Sequence, residues 1–450
     1  MNKKILKIIY IVIFILLFAV PGAVTLWAPS EAVGNEEKAE LSGIKYTNAA
    51  DKFDDWFSQS FGLRNSLVNM NNRLRYDVFG QSGQKSVIAG DDGWLFYESA
   101  LHDYVGEDVM SDEDIAKTAR ILLLASEYVK SQGSEFVFAS APNKMEIYGE
   151  YMPYYCVEDK SDGNYEKLMK QLGYYGVCHA DLKEVLADAA DKNDGIIYHK
   201  SDSHWNNMGA AIAFNAVCRA VGYDNFDYTT LGYSIQDDFD GDLYKMLFPN
   251  GNKKDCQIVF DCEQDFEYTS RFMGSDDMLI DTENPSGHGS VKMFRDSFGN
   301  ALHWFFANEF DTAHFTRELP YNLTDSAEYD IVAVEIAERN IPNLLKYAPV
   351  MPAMEHERIS NIKDAGFKAG ALCSEYDKYT KICVQSDEIP QECTEIYLET
   401  PDGKLYTMCP QSGEYSAVAY IEGSDETDVY GCSIVYYYQS AYYRAGLLEK

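Results

Sequence analysis

The sequence predicts an α/β fold with a doubly wound parallel sheet, preceded by one membrane-spanning helix and followed by a small all-β domain. Three observations predict it. Between about residues 110 and 340, short apolar runs alternate with amphipathic helical stretches, the pattern of a parallel sheet buried on both faces. A charge-free run, Ile8 to Trp27, precedes them. After Met354 the runs become strand-like and are separated by turn residues. The implied domains are 1–28 (cytoplasmic N-terminus and anchor), 45–350 (α/β) and 355–450 (β-rich).

The elements follow in chain order. Ile8 to Trp27 is long enough to cross a hydrocarbon core of about 30 Å. Lys3, Lys4 and Lys7 stand before it and no basic residue follows until Lys38, so the N-terminus stays cytoplasmic and the remainder is exported. Its length favours an uncleaved single-pass anchor. A cleavable signal, with PGAV or APSEA near the cut, would give a secreted protein instead. Ala49 to Phe79 reads as an amphipathic helix, and VIAGDDGWLFY as strand, turn and strand around Asp92 and Gly93. Asp112 to Lys130 reads as a helix whose first turn is acidic, which suits its dipole. Glu135 to Ala141, Tyr175 to His179, Gly195 to His199, Val291 to Phe294 and Tyr329 to Ile336 read as strands. Helices are expected near Asn164 to Leu172, Asn206 to Val221 and Gly299 to Phe310. In the last hundred residues, Lys378 to Ser386, Thr394 to Thr400, Lys404 to Cys409, Tyr415 to Ile421 and Val429 to Gln439 read as strands, with Pro401-Asp402-Gly403 as a tight turn. This module reads as a sandwich.

Composition narrows the function. A formal charge of −34 repels polyphosphates, and no basic cluster opposes it, so nucleic acid is excluded as a partner. Ten cysteines in an exported chain suggest disulfides, while Cys218 on the apolar side of a helix reads as a buried thiol. No CxxC occurs, and the reading assigns neither metal nor cofactor.

The chemistry lies in YHKSDSHWNNMGAAIAFNAV (Tyr198 to Val217) and VKMFRDSFGNALHW (Val291 to Trp304). Asp202 and His204 are two residues apart, so one short turn lets the carboxylate fix the imidazole tautomer while the other ring nitrogen points outward. Ser297 stands where an apolar strand runs into a helix, the edge at which open α/β sheets carry their sites. Backbone N–H groups there can stabilise an oxyanion. Each residue also has a structural reading: Asp202 or Ser203 as cap of the Asn206 helix, Ser297 as another N-cap, or His199, Asp202 and His204 as metal ligands.

DSHWN with Gly209, together with RDSFGNAL, resembles the DHHW and SGNH-hydrolase-like proteins related to the alginate O-acetylation proteins AlgJ and AlgX. DDWFSQSFGLRNSL, GDDGWLFY, APNKMEIYGEYMP and EIAERN add to the likeness, which covers roughly Phe53 to Asn340. The resemblance implies Ser297 as nucleophile, His204 as general base and Asp202 as its orienting partner. It further implies an SGNH-hydrolase-like fold and an extracytoplasmic O-acetyltransferase acting on a cell-surface polysaccharide, supplied with acetyl groups by a membrane-bound O-acyltransferase. The chain departs from the pattern at Arg295-Asp296, where relatives often have Gly-Asp, and shows no clear glycine and asparagine blocks. Asn143 is a candidate oxyanion donor or a turn residue. Arg339 is a candidate substrate contact or the ion-pair partner of Glu335 or Glu338. Trp205, Tyr148 and Trp304 are candidate sugar-stacking rings or core. An esterase removing acyl groups from a glycan, and a scaffold with a vestigial triad, use the same sequence features. The tyrosines of the β module, Tyr436 to Tyr438 with Tyr442 and Tyr443, suit either carbohydrate binding or a spacer.

Overall fold

The computed structural model describes residues 3–27, 52–54, 56–57, 61–192, 197–423, 429 and 431–449. Helix α1 (Lys3–Trp27) contains a segment, Lys4–Thr25, long and apolar enough to cross a membrane, a property that a signal sequence shares. The APSEA segment and the 28/45 boundary lie outside the described residues. So does part of the Ala49 to Phe79 stretch, whose described helix is Arg64–Phe79.

Seven strands form the central sheet: β1 (Glu135–Ala141), β2 (His179–Ala180), β3 (Glu267–Tyr268), β4 (Leu279–Glu283), β5 (Ser290–Phe294), β6 (Thr312–Thr316) and β7 (Ile331–Ala337), in the order β2-β1-β7-β5-β6-β4-β3. The five from β2 to β6 are parallel. Strands β4 and β3 join antiparallel at one edge, so the sheet is mixed rather than wholly parallel. Side-chain alternation divides the core. Phe136, Phe138, Phe294, Val332 and Val334 pack with helices α2 (Asp112–Ser131) and α3 (Asn164–Tyr175). Val137, Ala139, Val291, Met293 and Ala333 belong to the opposite core, with α4 (Leu182–Lys192), α5 (Asn207–Val221) and α7 (Gly299–Glu309). Every residue of β7 is buried, as a central parallel strand requires. Ser111 caps α2 by accepting from the Asp114 amide, and three acids fill its first turn.

Two expected strands are corrected. Helix α3 continues to Tyr175 and stops at Gly176, whose φ of 68° is the left-handed conformation glycine adopts freely, so strand β2 shrinks to His179–Ala180. Gly195 and Ile196 lie outside the described residues, and Tyr198 makes only an isolated bridge to Trp205.

The β module is a closed seven-stranded barrel and not a sandwich. Its strands are β8 (Lys363–Tyr376), β9 (Tyr379–Gln385), β10 (Ile396–Glu399), β11 (Leu405–Pro410), β12 (Ala417–Glu422), β13 (Ser433–Tyr438) and β14 (Ala441–Glu449). The order β11-β10-β13-β14-β8-β9-β12 returns to β11 through the β11–β12 pairing. The long β8 was absent from the sequence expectation, and it pairs parallel with β14 and antiparallel with β9, which removes the open edges a sandwich would keep. Tyr436 is buried there and stacks on Tyr443, so it offers no surface to a sugar; Tyr437 is exposed. The barrel docks on α2, where the buried Lys117 ammonium donates to Gln411 O (2.9 Å) and Ser412 Oγ (3.1 Å). Disulfides do not form among Cys156, Cys178, Cys218, Cys256 and Cys262, and Cys218 is buried with its thiol pKa pushed up by burial.

Candidate active site

Ser297, His204 and Asp202 meet. His204 Nε2 lies 2.8 Å from Ser297 Oγ, and His204 Nδ1 lies 2.6 Å from Asp202 Oδ1, which also accepts from the His204 amide at 3.0 Å. The carboxylate is 6% exposed and the imidazole 22%. Burial alone would push the Asp202 carboxyl up, but the hydrogen bonds and charge of His204 outweigh it and hold Asp202 well below the usual carboxylate range. Burial also works against a charged His204, and again the Asp202 bond and charge prevail, raising the imidazole above its ordinary value. A hydroxyl with a neutral imidazole nitrogen at hydrogen-bond distance can lose its proton as it attacks an electrophile.

The Asp202 loop is fixed from several sides. The bridge between Tyr198 and Trp205 closes it, and the His199 and Asn206 amides donate to His204 O and Ile197 O. Asn206, not Asp202 or Ser203, caps α5, its side chain accepting from the Met208 and Gly209 amides. Asp202 is therefore spared for the histidine. Gly209 is required by close approach, since a Cβ there would collide with the Ile197 carbonyl oxygen. Lys144, just beyond β1, is buried and donates to the carbonyls of His199 (3.0 Å), Lys200 (3.2 Å) and Asp202 (2.6 Å). Three acceptors match the three protons of an ammonium, while burial pushes its pKa down to about 7. Asp242 opens α6 (Asp242–Leu247); its amide donates to Asp202 Oδ2 (2.8 Å), and its carboxylate accepts from the Ser203 amide (2.9 Å) and Ser203 Oγ (2.8 Å). Burial, then the charge of Asp202, pushes Asp242 up to about 6. Asp202, His204 and Asp242 bring possible ligand atoms within 4.8 Å of one another. Each of their carboxylate oxygens, however, accepts a hydrogen bond from the protein. His199 is drawn away from any such group: its Nδ1 bonds Cys256 O and its ring stacks on Phe239 at 3.7 Å. Sequence spacing could reveal neither Lys144, some sixty residues from the loop, nor Asp242, forty residues beyond it.

Ser297 rides on a braced turn after β5. Asp296 Oδ1 accepts from the Phe298 amide (2.9 Å), and Oδ2 accepts from the Ala337 amide (2.8 Å) and Asn340 Nδ2 (2.9 Å). Asp296 thus keeps the turn although Arg295 precedes it. Arg295 anchors the other side, donating to Asn300 Oδ1 (2.6 Å) and to the carbonyls of Ser275 (2.8 Å) and Asp277 (2.9 Å). Glu335 on β7 accepts from the Asp296 amide (3.2 Å), and burial pushes its carboxyl well above its ordinary value.

Asn143 follows β1 and Arg339 follows β7; β7 lies beside β5 and β1 beside β7, so sheet order brings both residues to the same edge as Ser297. Asn143 is 1% exposed. Its amide donates to Glu338 Oε2 (2.8 Å), its Oδ1 accepts from Arg339 Nη1 (3.4 Å), and its Nδ2 is buried with no partner among the described residues. The Arg339 guanidinium lies over the Phe298 ring (5.5 Å) and the Tyr97 ring (5.4 Å). Glu338 instead has Lys183 beside it at 3.5 Å. Two sugar-stacking candidates are corrected. Trp205 is 1% exposed, packs edge-on against Phe298 and donates its Nε1–H to Phe298 O (3.0 Å). Tyr148 is buried, stacked on Trp94 at 4.3 Å, with its hydroxyl accepting from the Ile197 amide. Both are walls behind the site, because aromatic bulk in these loops is consumed in packing.

A serine at the carboxyl end of a central strand, hydrogen-bonded through a histidine to an aspartate from one separate loop, is an arrangement compatible with an SGNH hydrolase-like domain. Residues 87–287 match the family described as "SGNH hydrolase-like domain, acetyltransferase AlgX", and the chain is similar to the DHHW and SGNH hydrolase-like proteins related to AlgJ and AlgX. That match ends before Ser297. A probable alginate O-acetylase AlgJ of Pseudomonas syringae pv. tomato is 27% identical over 217 residues, 48% of this chain and 52% of that protein. The chain thus matches about half the length of this curated relative. Among solved structures, a DHHW family protein from Eubacterium siraeum is 17% identical, with a TM-score of 0.45 over 59% of this chain and 96% of its own. The O-acetyltransferase domain of Pseudomonas putida AlgJ is 18% identical, with a TM-score of 0.39 over 57% of this chain and 92% of its own.

Proposed function

We propose that this protein is an extracytoplasmic O-acetyltransferase that moves acetyl groups onto hydroxyls of a cell-surface polysaccharide. The observation that carries the reading is the unbroken relay from Ser297 Oγ through His204 to Asp202, with hydrogen bonds of 2.8 and 2.6 Å. The relatives named as probable alginate O-acetylases support acetyl transfer as its use.

In this mechanism His204 Nε2 takes the Ser297 proton as Oγ attacks the carbonyl carbon of an acetyl ester. The bond to the leaving oxygen breaks, His204 returns the proton to that oxygen, and acetyl-serine remains. A sugar hydroxyl then gives its proton to His204 as it attacks the acetyl carbon, and Ser297 recovers its proton. The Ser297 amide and the unpartnered Nδ2 of Asn143 supply donors for the tetrahedral oxyanion. Arg339 orients the Asn143 amide through its Oδ1. The domain division at 1–28, 45–350 and 355–450, the membrane anchor and an acetyl-supplying membrane acyltransferase belong to the same proposal.

One observation favours a second reading, a carbohydrate esterase: His204 is 22% exposed, so water can compete with the sugar for acetyl-serine. The test is incubation of the full chain with an activated acetyl ester and an oligosaccharide. Transfer predicts O-acetylated oligosaccharide and an acetyl adduct on the peptide carrying Ser297, both lost in Ser297→Ala with a fall in rate of roughly 10³-fold or more. Free acetate as sole product would establish the esterase, and unchanged turnover in Ser297→Ala would remove the relay from the mechanism.

A further inference from the structure

The two helices that follow His204 and Ser297 share a cavity about one turn along from those residues. Its volume is about 310 Å³, and its walls include Asn207, Val259, Phe260, Gln264, Ala301 and Trp304. Asn207 is three residues past His204 on α5. Ser297, Ala301 and Trp304 have the i, i+4, i+7 spacing of one helical face, and the backbone of Phe298 is already helical (φ −67°, ψ −32°). A rise of 1.5 Å per residue therefore puts Ala301 roughly 6 Å along the axis from Ser297. The volume is at the lower end of ligand pockets, which run from roughly 300 to 1,000 Å³.

The wall chemistry is specific. Trp304 presents a partly exposed indole held edge-on by Tyr228 (5.7 Å) and Phe305 (5.2 Å). Asn207 Nδ2 donates to Ile258 O (2.8 Å) and Gln264 Nε2 to Phe266 O (3.0 Å). Both amides are thereby anchored through nitrogen, which leaves their carbonyl oxygens as acceptors for hydroxyl donors. No residue lining the cavity is an Asp, Glu, Lys, Arg or His, and burial pushes the pKa of the lining Cys262 thiol up. The exposed Asp261, Glu263 and Asp265 alternate along the sequence with the lining residues Cys262 and Gln264, in a chain of formal charge −34. An aromatic platform with acceptor amides suits the C–H face and hydroxyls of a sugar ring. A lining without a cation, next in sequence to exposed acids, opposes a carboxylate.

We infer that this cavity is the acceptor subsite and that it seats a neutral sugar ring in preference to a uronic acid. The inference rests on the acetyl-transfer reading, and binding tests it separately from turnover. Calorimetric titration of the full-length Ser297→Ala protein uses a neutral N-acetylglucosamine tetramer and an oligouronate tetramer prepared from alginate. The neutral tetramer is expected to bind more tightly by at least about tenfold, and Trp304→Ala to weaken it by a similar factor while Trp304→Phe, which keeps a ring, changes it less than about threefold. Gln264→Lys, at an exposed position that does not threaten the fold, is expected to narrow the gap by strengthening oligouronate binding. Preference for the oligouronate, or neutral-tetramer binding that Trp304→Ala leaves intact, would overturn the subsite. Absence of ester turnover in the wild-type chain would overturn the transfer reading instead.

Discussion

His204 stands between two carboxylates of different duty. Asp202 bonds its Nδ1 directly, whereas Asp242 Oδ2 lies 4.0 Å from that nitrogen and supports the imidazolium through charge while its oxygens hold Ser203. In the proposed mechanism His204 must be neutral to act as general base, so activity should rise as pH climbs through its raised pKa. Asp242→Asn removes a charge that favours the protonated ring, and the asparagine carbonyl can still accept from Ser203. The acid limb of the pH–rate profile should therefore move to lower pH, with the plateau rate largely kept. A plateau loss without any shift, measured across pH 4 to 9, would mean that Asp242 only shapes the loop.

At the scale of elements, α5 and α7 set the relay, since His204 precedes one and Ser297 the other. Asn206 satisfies two amides at the start of α5, so Asn206→Ala should cost about 1 kcal/mol, within the 0.5–2 kcal/mol seen for lost caps. Thermal unfolding reads this directly, and a midpoint unchanged from wild type would show that the cap is redundant. The same loss loosens the turn carrying Asp202, so the rate should fall further than the stability change explains. Strand β7 contributes differently: it lays the Glu338-Arg339-Asn340 turn between the β1 and β5 edges, where Arg339 reaches Asn143 and Asn340 reaches Asp296.

Across the whole molecule, the barrel and the α/β sheet meet through α2. Lys117 is buried at that seam and serves carbonyl and hydroxyl acceptors on the barrel loop at Gln411 and Ser412. Lys117→Ala leaves Gln411 O without that donor, and an orphaned buried acceptor costs about 1–3 kcal/mol. Urea unfolding of the full chain should show this loss, whereas a stability within error of wild type would mean that water replaces the ammonium. The seam holds the barrel against α2, and the relay lies at the carboxyl edge of the sheet.

Local pattern made much of this legible. The short, nearly continuous apolar runs marked β1, β5 and β7 because central parallel strands are buried on both faces, and the two-residue spacing of Asp202 and His204 constrained them to a common turn. Nothing local distinguished Trp205 and Tyr148 as buried walls from exposed platforms, since an aromatic side chain reads alike in either setting. The short strands β3, β4 and β6 and the long β8 escaped notice because pairing, not propensity, creates them. Lys144 and Asp242 act through contacts forty to sixty residues distant in sequence. The chain alone thus pointed to Ser297, His204 and Asp202 as the candidate hydroxyl, imidazole and carboxylate. Tertiary structure decided their distances, the loop braces, the barrel's closure and the cavity beside Trp304, because each depends on segments that only folding makes neighbours.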